Sequence, residues 1–367
     1  MFKKITIIFA LFASLLFSDF NDENENNVYY LLPGPNLVSF NVLPESPNVT
    51  SLFSSIEDHM ISIINEGEIS IFIENEWAGS LNNINNESGY WVIVSDITIL
   101  DIEGSNQYPP TYFLMEGANL ISYPYSSSMP LSEALPFYMN GKLHGIIGQN
   151  EAALIANGQV FGSLTTLEPN KGYWFLMSEA IPFQYNNPTE QFTSNIDQNL
   201  NNEIIANYNQ SSKQSIHFIN NIYLNGSSTN QQIELNAFCN NILVGHKIFE
   251  PMIDLVTMGD DTFDYTEGYC NENEIIRIFD SNNEELHIIG NNKWKNNDFS
   301  IINLSNFELG DLNFDNNINI TDIIYLIEYI ISNTSNLNDH QLLLSDYNQD
   351  QISNVTDIIL IIETILD

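Results

Sequence analysis

The chain has 367 residues, enough for two to four compact units, and 43% of them are hydrophobic, including 22 Phe and 17 Tyr, which supplies the apolar surface such units bury. Nine Lys and Arg stand against 47 Asp and Glu, a formal net charge of −38. A surface that acidic repels phosphate backbones and anionic membranes, which excludes nucleic acid as a partner, and it draws divalent cations wherever carboxylates converge.

Lys3 and Lys4 open the chain, and an apolar run of 13 residues from Ile5 to Phe17 ends at Ser18. A membrane-spanning helix needs about 20 residues, so this run predicts the core of an export signal over 1–18. No Cys lies at the end of the run, so lipidation there is not predicted, and no later stretch predicts a membrane anchor. The expected location of the mature chain is extracellular or at the cell surface.

The stretch Gly34-Pro35-Asn36-Leu37-Val38-Ser39-Phe40 is matched 83 positions later by Gly117-Ala118-Asn119-Leu120-Ile121-Ser122-Tyr123. Gly79-Ser80-Leu81 and Gly162-Ser163-Leu164 keep that offset, as do Gly89-Tyr90-Trp91 and Gly172-Tyr173-Trp174. Three matches in one register predict a duplicated domain, over 28–107 and 108–190. Within each copy, β-branched and aromatic runs such as 37–40, 69–73 and 90–94 are bounded by Gly, Asn, Pro or Ser and predict strands and turns. Residues 48–59 and 131–140 predict one short helical piece per copy. The Tyr-Trp pairs allow two readings: rings that stack on a sugar face, or side chains that begin a strand and pack inward, the commoner fate of such residues. The motif order resembles a repeat of exported proteins of marine bacteria, with GANLIS, GSL and GYW in that order. The resemblance covers 28–186 and implies a non-catalytic extracellular module.

Residues 191–213 begin in Asn, Gln and Ser without apolar periodicity and predict a linker. A β domain of a second kind, sandwich-like, is expected over 214–305 from the strand-length runs 218–224, 233–238, 242–249 and 275–279. Its two cysteines, Cys239 and Cys270, fit either a disulfide in an exported chain or two buried thiols, and lack the spacing and partners of a zinc site. Met258-Gly259-Asp260-Asp261 predicts a turn with solvated carboxylates; a calcium corner and an acid-base pair are the alternatives, and no nucleophile accompanies the pair. Ala237-Phe238, Val244-Gly245, Met258 to Asp261 and Gly268-Tyr269 resemble a β domain that accompanies dockerin modules, from which Cys239 and Thr257 depart. No activity is implied by that likeness.

The strongest chemistry lies in the tail, 306–367. Asp311, Asn313, Asp315, Asn319 and Asp322 stand at positions 1, 3, 5, 9 and 12 of a loop, the spacing that turns oxygen ligands toward one hard cation, and Asn317 at position 7 lends its main-chain carbonyl. Asp346, Asn348, Asp350, Asn354 and Asp357 repeat the pattern 35 residues on, with Ile352 at position 7. Each loop runs into an apolar helix, over 323–331 and 358–366. Two calcium ions are the expected cofactors, and their removal is expected to unfold part of the tail. These residues resemble the type I dockerin family, which implies two calcium loop-helix repeats that dock to cohesin domains, commonly in polysaccharide-degrading assemblies. By that likeness Ile320, Thr321, Val355 and Thr356 face the partner. Position 6 is Asn316 and Gln351 rather than Gly, and Gln suits left-handed backbone less well than Asn, so the second loop is expected to bind more weakly.

Taken together, a mainly β multidomain chain with a small α-helical C-terminal module is expected, serving as an exported non-catalytic protein whose tail attaches to a cohesin-like partner. A glycan-degrading or carbohydrate-binding subunit is the second expectation, although no HExxH or GxSxG occurs. A calcium-locked terminal cap of a surface protein is the third.

Overall fold

The computed structural model describes residues 28–156, 158–188, 208–332 and 337–366; the expected export signal and most of the expected linker lie outside the described residues. Strand takes up 41% and helix 16%, so the chain is mainly β, with its longer helices at the C-terminal end. No described helix is long and apolar enough to cross a membrane.

The first copy comprises β1 (Val28–Leu31), β2 (Gly34–Ser39), β3 (Val42–Leu43), α1 (Val49–Leu52), β4 (Met60–Ile64), β5 (Ile69–Ile73), β6 (Glu76–Gly79), β7 (Gly89–Val94), β8 (Thr98–Asp101) and β9 (Ser105–Asn106). Its main antiparallel sheet has the order β2-β7-β4-β5-β6. The second copy comprises β10 (Tyr112–Leu114), β11 (Gly117–Ser122), β12 (Met129–Pro130), α2 (Leu131–Ala134), β13 (Leu143–Ile147), β14 (Ala152–Ala156), β15 (Gln159–Phe161), β16 (Thr166–Leu167), β17 (Gly172–Met177) and β18 (Ile181–Phe183). Its sheet, β11-β17-β13-β14-β15, repeats the order of the first. The helical piece of each copy is a single α-turn followed by a 3-10 turn, Ser54–His59 or Phe137–Met139. Pro136, which lacks an N–H, separates the two turns in the second copy.

Tyr90, Trp91 and Tyr173 are buried and Trp174 is half-buried, so the GYW rings serve the core. The Tyr90 hydroxyl accepts the Asn85 N–H at 2.9 Å, and the Tyr173 hydroxyl accepts the Glu168 N–H at the same distance. The copies exchange equivalent bonds. Ser39 N–H donates to the Asn170 carbonyl and Ser122 N–H to the Glu87 carbonyl, both at 3.0 Å. Leu37 N–H donates to Gln149 Oε1 at 2.9 Å, and Leu120 N–H to Glu66 Oε2 at 3.1 Å. The glycine of GYW has its reason here: a Cβ on Gly172 would stand 2.8 Å from the Val38 carbonyl oxygen, and one on Gly89 would stand 2.7 Å from Leu120 Cδ1.

The β domain comprises β19 (Gln214–Leu224), β20 (Ser227–Thr229), β21 (Glu234–Cys239), β22 (Ile242–Ile248), β23 (Ile253–Met258), β24 (Arg277–Asp280), β25 (Glu285–Ile289) and β26 (Phe299–Ser305). All eight join in one hydrogen-bonded sheet, β20-β19-β26-β25-β24-β21-β22 with β23 also on β19, so the sandwich expected over 214–305 is a continuous sheet around its core. The last residues of the expected linker belong to this domain, since Ser212 and Asn209 bond to Asp261 and Tyr269. Cys239 and Cys270 are joined by a disulfide. The Asp261 carboxylate, expected to be solvated, is instead buried: it accepts the Ser212 N–H and hydroxyl and the Thr266 hydroxyl, which pins the 208–213 segment against the turn.

The second copy is seated on the β domain. Asp254 of β23 is fully buried, and its carboxylate accepts the Ala152 N–H at 2.9 Å, the Ser163 N–H at 2.6 Å and the Ser163 hydroxyl at 2.8 Å. Lys247 Nζ lies 3.8 Å from Asp254, which compensates the buried charge. Ile147 and Ala152 of the second copy complete the hydrophobic core of the β domain.

The tail holds α3 (Ile320–Ser332), α4 (Asp339–Ser345) and α5 (Val355–Leu366). Leu312, Ile323, Leu326, Leu344 and Ile361 form its core, and Ile289 of β25 and Phe307 complete it from the β-domain side.

Candidate metal centre

The two tail loops close on themselves by the same bonds, 35 residues apart. At position 1, the Asp311 carboxylate accepts the N–H groups of Asp315 (3.2 Å) and Asn316 (2.8 Å), and Asp346 accepts those of Asp350 (3.0 Å) and Gln351 (2.7 Å). At position 3, Asn313 Oδ1 accepts the Asp315 N–H and Asn348 Oδ1 the Asp350 N–H. At position 5, Asp315 and Asp350 each accept the N–H two residues on, from Asn317 and Ile352. At position 9, Asn319 and Asn354 accept the N–H of Thr321 and Thr356, which caps α3 and α5, while their amides donate to the carbonyls of Asn317 and Ile352 at position 7. The position 12 carboxylates reach back across the loop: Asp322 accepts from Leu312, Asn313 and Asn319, and Asp357 accepts from Asn348 and Asn354.

Left-handed backbone at positions 4 and 6 makes these turns. Phe314 and Asn316 have φ of 64° and 62°, and Gln349 and Gln351 have 58° and 72°. Gln351 therefore adopts the conformation for which its side chain is poorly suited.

Every oxygen named at these positions is a hard donor. Three carboxylates, two amide oxygens and one main-chain carbonyl per loop suit calcium rather than a soft metal. Among the described residues no three His, Cys, Asp or Glu side chains come together as a group that could hold a metal ion. Asp311, Asp322 and Asp357 are buried, and none of the ion pairs among the described residues involves either loop. Burial pushes the Asp311 carboxyl up, the bonds from Asn316 and Asp315 oppose this, and the Asp322 charge adds to the rise. Two buried carboxylates with no cationic side chain opposite them form a negative point that a cation would neutralise.

Of the residues expected to face a partner, Ile320, Thr321, Val355 and Thr356 are all exposed, Ile320 at 65% and Val355 at 58%. They begin a longer feature. Ile320, Ile324, Ile327 and Ile331 on α3, and Val355, Ile359, Ile362 and Leu366 on α5, are exposed at equivalent positions of the two repeats. The spacing of four, three and four residues puts each set on one helix face. The sequence carries that signal, hidden by the apolar residues on the inward face of the same helices.

Elsewhere, a cavity of about 340 Å³ in the second copy is lined by Ser127, Ser128, Ser132, Glu133, Asn186 and Asn187, with Glu133 the one ionisable side chain in its wall. The chain matches no family model, no curated protein and no solved structure.

Proposed function

We propose that residues 306–367 form a calcium-dependent docking module of the type I dockerin kind, borne by an exported, non-catalytic protein whose β domains act as spacer or ligand carrier. Asp311, Asn313, Asp315, Asn319, Asp322 and the Asn317 carbonyl would hold one ion, and Asp346, Asn348, Asp350, Asn354, Asp357 and the Ile352 carbonyl the second. The ions supply charge neutralisation at the buried carboxylates and fix the loops that start the helices. The observation that carries the reading is the duplicated apolar face, Ile320 to Ile331 and Val355 to Leu366, which follows both loops and remains exposed. Helices of a monomeric unit hide such faces, so this one suits a partner protein of the cohesin type.

The tail is also packed on the β domain through Ile289 and Phe307, which favours a second reading, a calcium-locked cap with no partner. Calorimetric titration of the chelator-treated chain is expected to return two calcium ions per molecule, and no uptake refutes both readings. Calcium-dependent capture of a cohesin domain, lost in Ile324→Asp with Ile359→Asp, separates docking from capping. Exported location and a place in polysaccharide breakdown follow from the docking reading and are tested by secretion of the chain and by the partner's own cargo.

A further inference from the structure

The residues at position 4 of the two loops are not placed as ligands, yet both leave their loop and touch the β domain. The Phe314 ring lies 4.9 Å from Phe307 and stacks on His340 at 5.0 Å. His340, on α4, is buried and stacks in turn on Tyr223 of β19 at 5.0 Å, with Nε2 2.8 Å from the hydroxyl of Ser305, the last residue of β26. The Asn225-Gly226 turn that leads from β19 to β20 meets the Phe314 ring: a Cβ on Gly226 would lie 3.1 Å from its Cε2. In the second loop, Gln349 Oε1 accepts the N–H of Gly290, the residue after β25, at 2.8 Å.

Both position 4 residues hold left-handed backbone, a conformation that costs a Phe or Gln on the order of 1 kcal/mol and persists where its surroundings fix it. What fixes it lies next door: the position 1 carboxylates accept the N–H groups of residues 315 and 316, and of 350 and 351. The carboxylate that would bind the ion thus sets the turn that aims the side chain into the β domain.

We infer that the paired loops are a latch on the β domain: calcium held at positions 1 to 12 stiffens the two turns, and Phe314 and Gln349 transmit that occupancy to the β25–β26 strand pair and the β19–β20 turn. The inference rests on the calcium reading and holds for a docking module or a cap alike. The coupling runs both ways, so a β domain loosened at these contacts lowers the calcium affinity of the loops by the same factor.

Hydrogen exchange of the full chain, in chelator and at free calcium a hundred times the calorimetric dissociation constant, tests it. If the β25–β26 pair opens together with a loop, its opening constant falls about a hundredfold. Amides of β26 near Ser305 and of Ile289 and Gly290 then slow by up to that factor. Phe314→Ala and the milder Gln349→Ala are expected to keep two ions in calorimetry while losing most of the slowing, each at its own contact. Two ions bound, α3 and α5 protected and the β25–β26 amides unchanged would overturn the latch and leave the calcium reading standing. Variants that bind two ions and keep the full slowing overturn the assigned route. Failure of the unmodified chain to take up calcium removes the calcium reading and the latch with it.

Discussion

Removing the position 12 carboxylates one at a time should expose a difference between two loops that look alike in sequence. Asp322 accepts three backbone N–H groups, from Leu312 at 2.9 Å, Asn313 at 3.1 Å and Asn319 at 2.9 Å, whereas Asp357 accepts two, from Asn348 at 3.1 Å and Asn354 at 2.8 Å. A hydrogen bond to a charged group contributes about 1.5–3 kcal/mol when its donor cannot turn to water, and less when it can. Leu312 is fully buried, so its N–H is orphaned in Asp322→Ala, while the other donors in both loops lie where water reaches them. Relief of the repulsion between Asp322 and Asp311 offsets part of the loss. Without calcium, Asp322→Ala is expected to cost about 2–3 kcal/mol and Asp357→Ala about 1–2 kcal/mol. The assay is hydrogen exchange at α3 and α5 in chelator, where a difference of about 1 kcal/mol reads as a roughly fivefold difference in opening constant. Asp322→Asn, which keeps an acceptor oxygen, should fall between Asp322→Ala and the unmodified chain. Equal costs, or a larger one for Asp357→Ala, would refute the claim that these carboxylates shape the loops before any ion arrives.

Three further outcomes follow from single contacts. Gly172→Ala sets its methyl 2.8 Å from the Val38 carbonyl oxygen and 3.1 Å from Gly89 Cα, both backbone, and should destabilise by about 2–3 kcal/mol in urea titration. Gly89→Ala meets first the movable end of Leu120, so a cost of about 1 kcal/mol is expected, and the reverse order would contradict the interlock. Burial lowers both His217 and His340 to about 4, and it raises Glu151 to about 7, with the charges of Glu168 and Asp254 adding to that rise. Below pH 6.5 the unfolded chain takes up two histidine protons that the folded chain refuses. Above pH 4.5 the folded chain keeps one Glu151 proton that the unfolded chain releases. Between those values these three groups net one proton, so their share of stability should fall by about 1.4 kcal/mol per unit as pH drops; His217→Gln should lower the observed slope by one proton and Glu151→Gln raise it by one, read from denaturation midpoints across pH 4.5 to 6.5. Gln351→Gly relieves left-handed strain, net of the entropy glycine costs, by about 0.5–1 kcal/mol, and calorimetry should find the second loop binding calcium about two- to fivefold tighter.

Much of this architecture could be read from the sequence because it is local. The offset of 83 residues between the GYW motifs corresponds to two sheets of identical strand order, and the β-branched and aromatic run 69–73 coincides with β5. The twelve-residue spacing of the tail loops sets side-chain oxygens against N–H groups two to five residues away, which depends on little beyond the loop itself. Even α4 left a trace that went unread, since Asn338 and Gln341 form a capping box visible in the sequence, ahead of an apolar run too short to stand out.

What stayed hidden depends on chain segments far apart in sequence. The glycine shared by the two GYW motifs reads as a turn residue, yet at Gly172 it is the close approach of Val38, more than a hundred positions earlier, that forbids a side chain. Glu66 and Gln149 occupy equivalent positions and bond the same main-chain atom in the opposite copy, a relation invisible until the copies face each other. Phe314 and Gln349 share a loop position and a backbone conformation but no side-chain chemistry, so a motif reading treats both as filler. Their common property is a destination, the β-domain surface beside β25 and the β19–β20 turn, and a destination is fixed only by the packing of Ile289, Phe307 and His340 around it. The hydrogen bonds of a loop are therefore legible wherever its donors and acceptors are neighbours in the chain, whereas what that loop packs against can be found only once distant segments have been brought into contact.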